Sequence, residues 1–163
     1  MNETSRINFS DIPQPIIAEA VGLASQNRLW VYDVAMQQVG LYDLAKGNFR
    51  TLAPPFNDGI KYYQNDYNYF YWIDANNNWY AVNLFGKVNS LGKAPDFDQL
   101  QIVSSNTLLY SRGGIMYQYN PAKETSSSIG VVEKSFRSFY YAGEILSIFT
   151  DSVIIHYKVT LLK

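Results

Sequence analysis

The stretch "YFYWIDANNNWYAVNLFGK", Tyr69–Lys87, holds two short runs rich in aromatic residues, separated by a cluster of asparagines. Aromatic and β-branched runs bounded by turn residues read as two antiparallel strands joined by a tight turn. On the first run the period of two puts Tyr69, Tyr71 and Ile73 on one face and Phe70 and Trp72 on the other. Both faces are apolar, which is the pattern of a strand packed between two neighbours rather than one lying on a solvated surface.

Working outward, the same unit recurs. The first run matches "RLWVYD" (Arg28–Asp33), "TLLYSR" (Thr107–Arg112) and "LSIFTD" (Leu146–Asp151). Anchored on Asp33, Asp74, Arg112 and Asp151, the steps are 41, 38 and 39 residues. The second run matches "GLYDLAKG" (Gly40–Gly47), "MYQYNPAK" (Met116–Lys123) and "IIHYKVTL" (Ile154–Leu161). Anchored on Asp43, Asn83, Asn120 and Lys158, its steps are 40, 37 and 38. Two independent anchors with one period indicate a duplicated unit of about 40 residues, the size of one four-stranded propeller blade.

Asn76–Asn78 and Gly113–Gly114 supply the hairpin turns, because Asn and Gly accept the positive φ that short hairpins demand. Asn57–Gly59 is a further turn signal. The expected architecture is all-β: one propeller-like domain over residues 1–163, with about four four-stranded antiparallel blades at 5–44, 48–84, 87–120 and 124–159. A weaker strand leads each blade, at Arg6–Ser10, Phe49–Leu52, Lys87–Leu91 and Thr125–Ile129. Pro15–Ala24 is the best candidate for a helix, and its end reads equally well as a strand. A β-sandwich with evenly spaced strands is the alternative fold.

The repeats "NRLWVYDVAMQQVGLYDLAKG" and "NNNWYAVNLFGKVNSL" resemble blades of a loose group of uncharacterised bacterial β-propeller repeat proteins. The likeness runs from about Ile16 to Lys158. The Gly-His…Trp-Asp pair of tryptophan-aspartate repeats and the double-Gly kelch pattern are both missing. The resemblance implies a scaffold whose units close alone, pair as a homodimer completing a ring, or belong to a longer propeller.

Composition narrows the function classes. A net charge of −1 with no basic stripe argues against a nucleic-acid partner. Cysteine is absent, which removes disulfides, thiol catalysis and cysteine-ligated metal. No stretch reaches the roughly 18 apolar residues of a bilayer-spanning helix, so membrane insertion is not expected. The polar opening residues, Met1 to Ser10, carry no signal-peptide pattern, and the compartment stays open, exported or periplasmic included.

Catalytic motifs are equally scarce. No nucleophile elbow, phosphate-binding loop or dinucleotide fingerprint occurs. The single histidine, His156, lies in "VIIHYKV" with no motif to supply a partner. Asp96 and Asp98 lack the further ligands and Gly of a calcium loop. Glu19, Glu124, Glu133 and Glu144 share no context that would nominate a glycosidase pair. The expectation is a protein that is not an enzyme, with no cofactor and no metal, serving as an interaction or structural scaffold with a protein partner or self-association. The alternative is a carbohydrate- or peptide-binding module. Its residues would be Gln26, Asn27, Asp66, Asn68, Ser105 and Asn106 in loops at one end of the blades, with Trp72 and Trp79 as an exposed platform. The competing reading of those two tryptophans is an inter-blade aromatic core.

Overall fold

The computed structural model describes residues 2–3, 5–56, 58–132 and 136–162. Asn57 and Glu133 therefore lie outside the described residues. The chain divides into two compact units, Met1–Ser90 and Leu91–Lys163. The first holds two antiparallel sheets. One is β1 (Ala18–Ala24), β2 (Arg28–Asp33), β3 (Gln38–Asp43) and β4 (Asn48–Thr51); the other is β5 (Ile60–Asn65), β6 (Tyr69–Asp74), β7 (Asn78–Asn83) and β8 (Val88–Lys93), which runs across the division at Ser90. In the second, β9 (Gln99–Ser104), β10 (Thr107–Arg112), β11 (Ile115–Asn120) and β12 (Thr125–Val131) form the third sheet. The fourth contains only β13 (Ser138–Ala142), β14 (Ile145–Phe149) and β15 (Ile154–Lys158). Each sheet is a meander in sequence order. The expected all-β, propeller-like fold with four antiparallel blades is present.

The blade boundaries differ from expectation by one strand. In the first three sheets the weak strand closes the sheet instead of opening the next: β4 pairs with β3 and β12 with β11. The period measures the length of a repeat but not its phase. Phase is set by the connectors. The β3–β4 and β11–β12 links are tight turns, whereas the longer stretch between β4 and β5 leads from one sheet to the next. Arg6–Ser10 is not a strand. Phe9 and Ile16 instead cover the first sheet against Val31 and Tyr42, with Phe9 edge-on to Tyr42 at 5.5 Å. The helix candidate resolves as β1, and no helix long and apolar enough to cross a membrane occurs among the described residues.

Five of the eight anchors that revealed the repeat are turn caps. Asp33 is fully buried, and its carboxylate accepts the amides of Ile17 and Ala35 (both 3.1 Å) and the Gln38 side-chain amide. Asp74 accepts the amides of Asn76 and Asn78 (2.9 and 2.8 Å) and the Asn78 side chain. In the third sheet Arg112 stands at this position, and Asp98 reaches across to the Gly113 amide at 2.8 Å. In the fourth, the Thr150 hydroxyl accepts the Val153 amide. The second anchor works at the opposite strand ends. Asp43 caps Ala45 and Lys46, Asn83 caps Phe85 and Lys87, and Asn120 caps Lys123. The Lys46 amide, more than any other group, holds the Asp43 carboxyl below the usual range. Lys158 takes the anchor's place in the one sheet with no fourth strand to turn into.

The first unit's core lies between its two sheets. Trp30, Tyr32, Val39 and Leu41 face Phe70, Trp72, Val82 and Leu84, with Ala53 and Phe56 of the connector completing it. The second unit gathers Met116, Val132, Leu146 and Ile148. There the Gln101 side-chain amide clamps the Tyr141 backbone in both directions, donating to its carbonyl at 2.9 Å and accepting its amide at 2.7 Å.

Candidate functional site

The loops nominated at one end of the blades come together in the first unit. The three-residue turn between β1 and β2, Ser25–Asn27, puts Gln26 and Asn27 at φ 64° and 56°. Asn27 tolerates this left-handed backbone readily, and Gln26 bears a modest cost. Arg28 steadies the turn, donating to the Ser25 carbonyl and to the Gln26 side chain. The β5–β6 loop is organised by Asp66, whose Oδ1 accepts the amides of Asn68 and Tyr69, both at 2.8 Å. The two loops are stitched together. The Ser25 amide donates to the Tyr67 carbonyl (2.8 Å), and the Ser25 hydroxyl to Asn68 Oδ1 (3.1 Å). Trp30 Nε1 donates to the Asp66 carbonyl at 2.9 Å, and Asn65 Nδ2 to the Leu23 carbonyl.

Asp66 and Asn68 thus spend acceptor capacity on the fold itself. What the stitched loops present outward is a shallow depression of about 310 Å³ lined by Gly22, Leu23, Asn65, Asp66 and Tyr67. Leu23 is 60% and Tyr67 58% exposed. Neither was singled out from the sequence. For Tyr67 a signal existed, since it is the aromatic residue inside the "NDYN" loop. For Leu23 the ambiguous helix-or-strand reading of Pro15–Ala24 hid the alternation that exposes Glu19, Val21 and Leu23 on one face of β1.

Ser105 and Asn106 form the β9–β10 turn of the second unit, where the Asn106 amide donates to the Ser104 hydroxyl. Trp72 and Trp79 do not form an exposed platform. They are 4% and 0% exposed. Trp72 stacks on Tyr80 at 5.2 Å and packs against Phe56 at 4.5 Å. The strands carrying both tryptophans are apolar on both faces, and burying those faces removes the rings from water. One edge of Trp72 reaches a cleft of about 210 Å³ at the other end of the same strands, lined also by Phe56, Asp58, Asp74 and Tyr80. Asp74 contributes a carboxylate already occupied by its turn.

His156 is exposed, and its Nδ1 sits 2.9 Å from the Ser147 hydroxyl on the adjacent strand. No group of three or more His, Cys, Asp or Glu side chains placed to hold a metal occurs among the described residues.

Two tyrosines mark the polar interior of this region. Burial, followed by the neighbouring Asp66 carboxylate to which its hydroxyl donates, pushes Tyr71 above the ordinary phenol value; burial alone raises Tyr62. A raised folded value means that stability is fully present below the unfolded phenol value, about 10, and is lost as pH climbs above it. The thermal midpoint should therefore hold to about pH 10 and fall beyond it. Phenolate absorbance should show Tyr62 and Tyr71 ionising after the exposed tyrosines. If Tyr71→Phe leaves the alkaline slope unchanged, Tyr71 does not carry that dependence.

No protein-family model matches the sequence. No curated protein matches it either. Solved structures do match in fold. The computationally designed Ika4 protein superposes with a TM-score of 0.57 at 10% identity, covering 90% of this chain and 94% of that one. The designed Ika8 protein gives the same score and identity with 47% of its length covered. PorZ, described as an essential surface component of the type-IX secretion system of Porphyromonas gingivalis, gives 0.60 at 14% identity, over 86% of this chain. This chain spans 21% of PorZ. At these identities the likeness defines the class by fold alone, antiparallel sheets of the β-propeller type.

Proposed function

We propose that the chain is a non-catalytic interaction scaffold of the propeller type, engaging a polypeptide partner. The observation that carries this is the use of its polar strand-end groups. Asp33, Asp43, Asp66, Asp74 and Asp98 all accept hydrogen bonds from backbone amides of their own or adjoining turns. A carboxylate committed to turn amides is poorly placed for acid–base work. The same strand ends and edges expose large apolar residues instead, Leu23 and Tyr67 foremost. Exposed aromatic and aliphatic side chains on a rigid sheet framework suit protein contacts. A sugar- or peptide-binding platform built on Trp72 and Trp79 is disfavoured by their burial.

Cross-linking in the cells that express the protein, followed by purification, should return a polypeptide in fixed stoichiometry. Substituting Leu23→Ser and Tyr67→Ser together should release it without changing the thermal midpoint by more than a few degrees. Recovery of the free chain alone, with small-molecule turnover lost on Asp66→Asn, would overturn the scaffold reading.

A further inference from the structure

Among the described residues three sheets have four strands and the fourth has three. The last of these, β15, ends its sheet where the others carry a closing strand. Pairing of Val159 with Glu144 fixes the register: the Val159 amide donates to the Glu144 carbonyl at 2.8 Å. In an antiparallel ladder the bonded residues then alternate. Ile155 and Tyr157 direct their backbone groups at β14, opposite Ile148 and Leu146. Ile154, His156 and Lys158 direct theirs outward, and no strand of the described residues takes them. All three side chains are exposed.

Beside this edge lies a cavity of about 220 Å³, lined mainly by apolar groups of Met116, Ile129, Val131, Leu146, Tyr157 and Val159. Val131 is 81% exposed. Lys158 borders the same cavity and has no ion-pair partner among the described residues. The site therefore offers a row of backbone donors and acceptors, an apolar trough on one face of the row, and a cation at its end.

We propose that β15 accepts an extended strand from a partner polypeptide, antiparallel to it, which completes the fourth sheet. The incoming strand alternates: apolar side chains opposite Ile155 and Tyr157 enter the trough, and an acidic side chain stands opposite Lys158. Main-chain hydrogen bonds hold such a strand, and side-chain pockets select it. This rests on the scaffold reading and adds, in the second unit, a backbone edge separate from the Leu23 and Tyr67 surface.

The probe is a fluorescein-labelled heptapeptide, Thr-Glu-Val-Ser-Val-Thr-Val, capped at both ends and read by anisotropy. It should bind saturably, one per chain. Alternate N-methylation of its backbone on the side facing β15 should abolish binding. Replacing its glutamate by lysine should weaken binding about three- to tenfold, and Lys158→Glu should reverse that preference. His156→Pro removes an amide that faces outward, so it should block the peptide while leaving the β14–β15 ladder and the thermal midpoint in place. Absent binding, or binding indifferent to N-methylation, overturns the proposal. So does a dimer seen by light scattering that His156→Pro dissolves, since a second copy would then own the edge. Peptide binding that His156→Pro leaves unchanged refutes the β15 site, while release of the endogenous partner by Leu23→Ser with Tyr67→Ser leaves the scaffold reading standing.

Discussion

Trp30→Ala should lower the unfolding free energy by about 3–5 kcal/mol, the range for removing a buried large aromatic side chain. The indole is fully buried, packs 6.1 Å from the Phe70 ring, and lies in the cluster that joins the two sheets of the first unit. It also carries the hydrogen bond to the Asp66 carbonyl that ties the β5–β6 loop down. Urea unfolding followed by far-ultraviolet circular dichroism gives the value. Trp30→Phe separates the two contributions. It keeps most of the ring contact and deletes the indole N–H, so its hydrogen-bond share should be about 1 kcal/mol. Equal losses for both variants would mean that packing at this position is not what stabilises the unit.

Gly40→Val should cost about 3 kcal/mol, at the upper end for overpacking. Gly40 lies mid-strand on β3, paired with Val31 on one side and Thr51 on the other. Its backbone is ordinary, so the demand is for space. A Cβ there would stand 2.3 Å from the Arg50 carbonyl oxygen and 2.5 Å from the Phe49 ring. The ring can swing away, but the carbonyl belongs to the ladder, so β4 must detach or shift. Hydrogen exchange should show faster exchange across Asn48–Thr51 in particular. Gly130→Ala on β12 is the control: nothing lies within 4 Å of its Cβ, and its φ is not positive. Removing unfolded-state freedom there should leave stability unchanged or raise it by about 0.5 kcal/mol. Comparable losses at both positions would refute the close-approach account of Gly40.

Much of the fold was legible because its cause is local. The runs Arg28–Asp33, Thr107–Arg112 and Leu146–Asp151 emerge as strands within a residue or two of those limits, since period-two apolar runs have few other ways to bury their faces. The turn at Gly113–Gly114 is present with both residues at positive φ, as hairpin geometry requires. The loop residues Gln26, Asn27, Asp66 and Asn68 were legible as one cluster for the same reason: a meander returns its first hairpin loop to the same end of each sheet. Their occupation was not. That Ser25 reaches Asn68, or Trp30 the Asp66 carbonyl, depends on contacts some 40 residues apart in sequence.

The sequence by itself determined the strands, their turns and the repeat length, because alternation and turn chemistry act over a few residues. It also marked the residues that cap the turns, since a repeating structural need repeats its residue type: Asp33 and Asp74 at one strand end, Asp43, Asn83 and Asn120 at the other. The tertiary structure decided the phase of the repeat, the fate of the tryptophans and the open edge. Phase depends on which neighbour the weak strand pairs with, and four residues such as Asn48–Thr51 carry too little pattern to say. Burial of Trp72 and Trp79 depends on what lies across from them, and a strand's own residues do not show that. The unpaired edge of β15 is a property of sheet order, visible only once the fourth sheet can be seen to stop at three strands.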